Sequence, residues 1–446
     1  MKPKHIFRAY DIRGIFGKDL TPDIAAAIGM ALGTHDPGRF IVGGDTRAST
    51  LVIKQALTAG LTATGCDVIE IGIVPIGAAI YACWTRKVST AYVTASHLPP
   101  EWNGVKLYGR KALSYTSEEV KKVEEIFSTR SFKEMSWSNV GKIEKEDVLE
   151  EYKDYLMKFA TVSGLKIVVD CGNGATALIV PQLLKELGHT VVEINCEVDP
   201  RFPGRGPEPE PEKLGELSKA VIESNADFGI AFDGDGDRVV FVDRDGKILS
   251  AEQVAVIMLT GGVKGDVVAN VECSSILDEY VESYGGRVYR VPVGHTFMVR
   301  KVVETGAVLG VEKSNHFSVP LNPLIEEGIL TCIYFIECLA KLKGKISEYI
   351  PSVRPIKRLK IPVEEDIKFE VAKRVKEEIL GRFEDVDIID GARVNFDYGW
   401  FLVRPSNTEP LIRITSEGVD EKEAQRLLKI AEDIVLKVLK DFKHKR

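Results

Sequence analysis

The chain has 446 residues, 44% of them hydrophobic and 28% charged, with a formal net charge of −7 and a pI near 5.7. That length exceeds what one core organises and implies three or four domains of an ordinary globular protein. The acidic balance argues against a nucleic-acid or polyanion-binding surface, while a local basic pocket for small acidic substrates stays open.

At the N-terminus, Met1-Lys2-Pro3-Lys4-His5 leads straight into Phe7-Arg8-Ala9-Tyr10-Asp11-Ile12-Arg13-Gly14, with no room for a signal peptide's apolar core. No apolar run approaches the ~20 residues of a membrane span, so a cytoplasmic protein without a membrane partner is expected. Arg8, Tyr10 and Arg13 fit either an interdomain salt-bridge region or a site. The seven cysteines (66, 83, 171, 196, 273, 332 and 338) are odd in number, scattered and without a Cys-x-x-Cys pair. They indicate neither a disulfide framework nor a zinc site, and reduced thiols are expected.

One pattern then recurs three times. An apolar strand ends in a small or polar turn that opens a helix: Phe40 to Arg47, Lys166 to Gly174, and Asp266 to Val271. A glycine after each helix turns the chain into a second strand (Gly65 to Ile71, Gly188 to Ile194, Gly286 to Val291), and a third strand ends in a polar loop. This alternation predicts three similar α/β domains with mixed, largely parallel sheets, whose polar loops lie at strand C-termini and face one central cleft. Glu144 to Tyr155 reads as a charged helix leading into the second unit, and Asp243 to Lys247 as the tight turn closing it. The Pro-rich stretch Arg201 to Pro211 reads as a long loop packing between domains. After Pro351 to Pro355, helical spacing of Ile367, Val371, Val375 and Ile379, strand-like runs at Val386 to Ile389, Phe401 to Val403 and Leu411 to Ile414, and an amphipathic helix from Glu421 to Leu439 predict a C-terminal α+β domain. The expected domains are 1–150, 151–250, 251–355 and 356–446.

The first polar loop follows the strand Val88 to Val93, and Pro99 and Pro100 forbid further pairing, which puts Ser96 in an exposed position. A hydroxyl there suits phosphorylation, with His97 and Lys106 as cations and donors for the added charge; capping a helix is the alternative. In the second loop, Asp233, Asp235 and Asp237 alternate with glycines after the strand Phe228 to Phe232. Converging carboxylates require a cation, and oxygen-only ligation points to Mg²⁺. A helix-loop-helix calcium site fails, since Arg238 and Arg244 stand where Gly and Glu belong. Gly172-Asn173-Gly174 with Glu193 about 20 residues on matches the dinucleotide fingerprint weakly and fits tight helix packing better. The third loop is Glu312-Lys313-Ser314-Asn315-His316. Pro292 to Thr296 presents His295 at a strand end, where capping and catalysis are both open. In the tail, Arg404, Ser406, Asn407 and Thr408, with Arg413 beyond, make a receptor for a dianionic phosphate.

These loops, in this order and with Tyr10-Asp11-Ile12-Arg13-Gly14, resemble the α-D-phosphohexomutase family over essentially the whole chain. The resemblance implies that Ser96 is the phosphorylated serine and a ligand, with Asp233, Asp235 and Asp237, of Mg²⁺. It implies that Glu312 and Ser314 bind sugar hydroxyls and that Arg404, Ser406, Asn407, Thr408 and Arg413 hold the non-reacting phosphate. Arg13, His97, Lys106, Arg238, His295 and His316 match positions around the reaction centre, with Lys106 or His97 as proton acceptor. The activity implied is exchange of hexose 1- and 6-phosphates through a bisphosphate, with hexose 1,6-bisphosphate as activator and small hexose phosphates as partners; the oligomeric state stays open. Leu98, Val311 and Asn315 depart from the family pattern. Glu312-Lys313-Ser314 favours mannose and glucose phosphates, with phosphoglucosamine mutase as the alternative. A Mg-dependent sugar phosphatase, a non-catalytic sugar-phosphate sensor and a nicotinamide-dependent dehydrogenase are the more remote readings.

Overall fold

The structure is a computed structural model and describes residues 4–8, 10–321, 327–343, 346–364, 366–406 and 410–444. Its four α/β domains, three similar ones and a C-terminal one, distribute into two compact units, residues 1–263 with 314–349 and residues 264–313 with 350–446.

In the first unit, a six-stranded sheet runs Asp11–Ile15, Trp102–Tyr108, Ser89–Val93, Arg39–Gly44, Asp67–Ile73, Ile143–Lys145. The last four strands are parallel, and the first two join antiparallel. Ser89–Val93 is buried at every position, as a strand covered on both faces by helices must be. A second sheet runs Val239–Val242, Phe228–Phe232, Lys166–Asp170, Thr190–Ile194, with only the first pair antiparallel. Expectation and structure differ at 143–148. Ile143–Lys145 pairs in parallel with Asp67–Ile73, and the helix starts only at Leu149, where Tyr152, Tyr155 and Leu156 give it a face to bury.

The helix Gly328–Leu339 is buried along almost its whole length. Glu327 caps it, accepting from Leu330 N and from the Tyr152 hydroxyl. Burial pushes this carboxyl up to about 7.

The second unit holds the parallel strands Val288–Val291, Val267–Asn270 and Leu309–Val311. It also holds an antiparallel sheet ordered Ile356–Pro362, Leu411–Gly418, Gly399–Pro405, Ala392–Phe396, Val386–Asp387. Helices Lys368–Leu380 and Glu421–His444 bury Val371, Val375, Ile379, Leu427 and Ala431 in the same core as Phe401 and Ile412. The expected strand at 386–389 shortens to Val386–Asp387. The edge strand Ile356–Pro362, rich in basic residues and mostly not fully buried, carries too little apolar alternation to be read in advance. Among the described residues, no helix is long and apolar enough to cross a membrane.

Candidate active site

Ser96 closes the buried strand Ser89–Val93 in a left-handed backbone conformation, φ +50°, which costs a non-glycine residue roughly 1–3 kcal/mol unless its surroundings enforce it. One guanidinium does much of that. Arg47 donates from Nη2 to the carbonyls of Ser96 (2.7 Å) and Leu98 (2.6 Å), and from Nη1 to those of Pro99 (2.6 Å) and Trp102 (3.0 Å). Its Nε donates to Asp45 Oδ2 at 3.0 Å, a pair fully withdrawn from solvent. Thr94 completes the frame: its Oγ1 accepts from Ser96 N at 2.7 Å and lies 2.8 Å from Asp45 Oδ2. Asp45, Arg47 and Thr94 were not assigned from sequence. The signal was the Asp-x-Arg turn after the buried strand Arg39–Gly44, but its partners lie some fifty residues away.

Ser96 itself is buried, contrary to the exposed position that its prolines suggested. The carboxylate loop covers it: Ser96 Oγ donates to Asp233 Oδ2 at 2.6 Å, with His97 Nδ1 at 3.2 Å on the other side. Gly234 makes this approach possible, because a Cβ there would stand 2.6 Å from the Ser96 carbonyl oxygen. Gly236, at φ +85°, supplies the turn that brings the carboxylates round. Ile76 N holds the Asp235 carbonyl at 2.9 Å, Gly328 N the Gly236 carbonyl at 2.9 Å and Ala175 N the Gly234 carbonyl at 3.0 Å, so three helical segments grip the loop.

Asp233, Asp235 and Asp237 are all buried, and each offers an oxygen within 4.8 Å of the others. Burial and the charges of Asp237 and Asp235 push the Asp233 carboxyl well above its usual range. Burial acts on Asp237 in the same sense, but Lys106, His316 and Arg238 outweigh it and hold Asp237 well below that range. Lys106 Nζ bridges Asp235 Oδ2, at 2.9 Å, and Asp237 Oδ2. Asp235 Oδ1 is buried without a hydrogen-bond partner. Three convergent carboxylates, one with an unused oxygen, are a donor set that fits a hard divalent cation.

Around this cluster, Arg13 pairs with Asp11 at 2.6 Å, and Arg238 reaches Glu208 at 3.2 Å. His316 Nε2 lies 3.3 Å from Asp237 Oδ1, and its Nδ1 lies 2.9 Å from Ser314 Oγ. His97 is held well below its ordinary value by burial, then by Arg238 and Arg13. Asn315 adopts φ +66°, a conformation that asparagine tolerates better than most side chains, which accounts for its standing where the family pattern has glycine. The loop 201–211 packs as expected: Phe202 lies under the Arg47 guanidinium, 5.2 Å from it, and Arg205 pairs with Asp170 at 2.8 Å.

The remaining candidates belong to the second unit. Glu312 is buried, accepting from Gly294 N at 2.9 Å and Asn270 Nδ2 at 3.2 Å. His295 opens the helix His295–Thr305; its side chain lies outside the described residues. Arg404 pairs with Glu272 at 3.0 Å and with Asp390 at 3.4 Å. Arg413 stands directly opposite Arg404 in the antiparallel register, and Ser406 N donates to Leu411 O at 2.9 Å. Asn407 and Thr408 lie outside the described residues.

Four family profiles match in series: phosphoglucomutase/phosphomannomutase alpha/beta/alpha domain I over residues 4–134, domain II over 149–246, domain III over 248–355 and the C-terminal domain over 359–434. A Methanopyrus kandleri protein named "Probable phosphoglucosamine mutase" is 35% identical, the alignment covering 98% of this chain and 99% of that protein. A Thermococcus kodakarensis "Phosphoglucomutase/phosphomannomutase" is 36% identical, with coverage of 98% and 99%. The crystal structure of a phosphoglucomutase/phosphomannomutase family protein from Burkholderia thailandensis superposes with a TM-score of 0.88 at 28% identity, covering 99% of this chain and 98% of that one. With all four domains matched and relatives aligned end to end, the chain belongs to the phosphoglucomutase/phosphomannomutase family of α-D-phosphohexomutases and is an enzyme of the intramolecular phosphotransferase class.

Proposed function

We propose that this enzyme interconverts hexose 1-phosphates and hexose 6-phosphates, of glucose and mannose, through a phosphorylated Ser96 and a bisphosphorylated sugar. The observation that carries the reading is the 2.6 Å contact between Ser96 Oγ and Asp233 Oδ2, a nucleophile seated on a cation-binding carboxylate cluster. Asp233, Asp235 and Asp237 would hold Mg²⁺ together with the Ser96 phosphate; when bound, the ion offsets charge developing on the transferring phosphoryl group. Ser96 Oγ gives its phosphoryl group to the free sugar hydroxyl and later takes back the other. His97 Nδ1, 3.2 Å from Oγ, is the candidate to exchange the hydroxyl proton; for Lys106, the other candidate acceptor, burial favours the neutral amine but Asp235 and Asp237 outweigh it and hold it protonated. Arg13, Arg238, His295 and His316 complete the polar surroundings of the transfer. Glu312 and Ser314 orient the sugar hydroxyls, while Arg404, Ser406, Asn407, Thr408 and Arg413 hold the phosphate that does not react. Hexose 1,6-bisphosphate serves as activator by phosphorylating Ser96.

The glucose and mannose preference rests on Glu312-Lys313-Ser314. A second reading, glucosamine phosphate, is favoured by the names of several relatives, two of them 35% identical over nearly the whole chain. Coupled turnover of the 1-phosphates of glucose, mannose and glucosamine, each with a trace of the matching bisphosphate, tests both. Higher kcat/KM for glucosamine 1-phosphate selects the second reading. Release of inorganic phosphate without isomer formation excludes both.

A further inference from the structure

We propose that Cys171 and Cys196 are a disulfide site, and that closing it anchors the segment 196–211 behind the carboxylate loop. The inference is independent of which sugar phosphate the enzyme uses. Neighbouring strands Lys166–Asp170 and Thr190–Ile194 run parallel and end in register, Asp170 beside Ile194. Cys171 leaves the first strand end, with its N–H donating to Ile194 O at 3.2 Å, and Cys196 lies two residues beyond the second. Their Sγ atoms are 3.0 Å apart. A disulfide bond places two such sulfurs about 2.05 Å apart. The sequence, with 24 residues between the two and no paired motif, gives no hint of this; the parallel register creates it.

The two thiols differ in access, which sets the order of a two-step exchange. Cys196 is partly exposed, whereas Cys171 is fully buried. With a low-molecular-weight disulfide as oxidant, the Cys196 thiolate attacks one of its sulfurs and expels a thiolate, leaving a mixed disulfide. Cys171 then gives up its proton and attacks Cys196 Sγ, expelling the second thiolate. Two protein thiols are oxidised, one small disulfide is reduced to two thiols, and the two protein protons end on those thiols.

The location gives the bond its effect. Cys171 adjoins Asp170, the partner of Arg205, and the turn after it leads to Ala175, whose N–H holds the Gly234 carbonyl at 3.0 Å. Cys196 opens the segment that sends Phe202 under Arg47, Arg205 to the Phe232 carbonyl and Glu208 to Arg238. Joining the two sulfurs ties the start of this segment to the strand beside the one that ends in the carboxylates.

The test uses the full-length protein, treated with oxidised glutathione or with dithiothreitol, quenched in acid, alkylated and digested without reduction. Mass spectrometry is expected to find the Cys171 and Cys196 peptides linked only in the oxidised sample. That sample is also expected to melt higher and to resist proteolytic nicking within 201–209 at least several-fold longer. Cys196→Ser and Cys171→Ser should each abolish both differences; the wild-type comparison stands even if one variant fails to fold. Alkylation of both cysteines after oxidation, or persistence of glutathione on Cys196, would overturn the site. A linked pair with unchanged nicking would overturn the anchoring role.

Discussion

The Arg47 guanidinium lies 2.7 Å from the carbonyl oxygen of Ser96 and, through three further carbonyls, closes the loop around this serine like a staple. Four acceptors depend on one side chain that is itself buried. Substituting it strands those without a second donor at roughly 1–3 kcal/mol each, while Pro99 O keeps the Trp102 N–H at 3.0 Å.

Arg47→Lys keeps a positive charge beside Asp45 but loses the planar fork. If Ser96 is the nucleophile, the expected outcome is a kcat at least about 100-fold lower with a much smaller change in KM, because its displacement costs the chemical step rather than binding. The melting temperature should fall as well. Steady-state kinetics with a thermal scan checks this, and an unchanged kcat would remove Arg47 from the positioning frame.

Ser96→Ala should abolish isomer formation, with a loss on the order of 10⁴-fold or more, as for other nucleophile deletions. The hydroxyl's contacts with Asp233 and His97 are lost together, so the melting temperature should fall moderately, in line with one buried acceptor left unpaired. Incubation with labelled hexose 1,6-bisphosphate should label the wild type and leave the variant unlabelled.

Lys106→Met removes the cation from between Asp235 and Asp237. Breaking a buried ion pair from one side typically costs 3–5 kcal/mol, so a strong loss of stability is expected in metal-free buffer. Millimolar MgCl₂ should recover much of it, since a divalent cation answers the same carboxylates. Denaturant titrations with and without Mg²⁺ decide; equal losses in both would count against metal binding at this cluster.

Glu327 predicts a pH dependence. Its carboxyl is raised from an ordinary 4.5 to about 7 by burial, so between those values the folded protein holds a proton that the unfolded chain has released. Stability from this group is fully present below pH 4.5 and is lost as pH rises through 7, a change of about 3 kcal/mol at 1.36 kcal/mol per unit. Glu327→Gln keeps an acceptor for Leu330 N and cannot ionise. The variant should therefore gain relative to wild type between pH 5 and pH 8; a relative loss would give Glu327 the opposite sign.

Arg404 is engaged by Glu272 and Asp390, which compete with any phosphate for the same guanidinium. Glu272→Gln should lower KM for hexose phosphates several-fold if Arg404 holds the non-reacting phosphate. A KM that rises or stays constant would argue that Glu272 orients the arginine instead.

Much of this was legible in the amino-acid order because local chemistry dictated it. Phe228–Phe232, five buried residues followed by alternating Asp and Gly, can hardly be anything but a core strand feeding a curled acidic loop. The repeated strand and helix spacing likewise announced parallel sheets. What escaped notice depends on distance along the chain. Arg47 sits about fifty residues from the carbonyls it serves, and the burial of Ser96 comes from a loop 137 residues away. The edge strand Ile143–Lys145, exposed at all three positions, lacks any apolar alternation and pairs because Asp67–Ile73 offers it a free edge. Pairing partners, rather than the strand itself, determine such elements.

The crowding of Gly234 against the Ser96 carbonyl has an evolutionary corollary. Even a single methyl group at 234 would push the two loops apart, so neither can be remodelled alone. Laboratory selection for altered sugars should accordingly leave this contact alone and accumulate its changes elsewhere, or else change both loops in the same step.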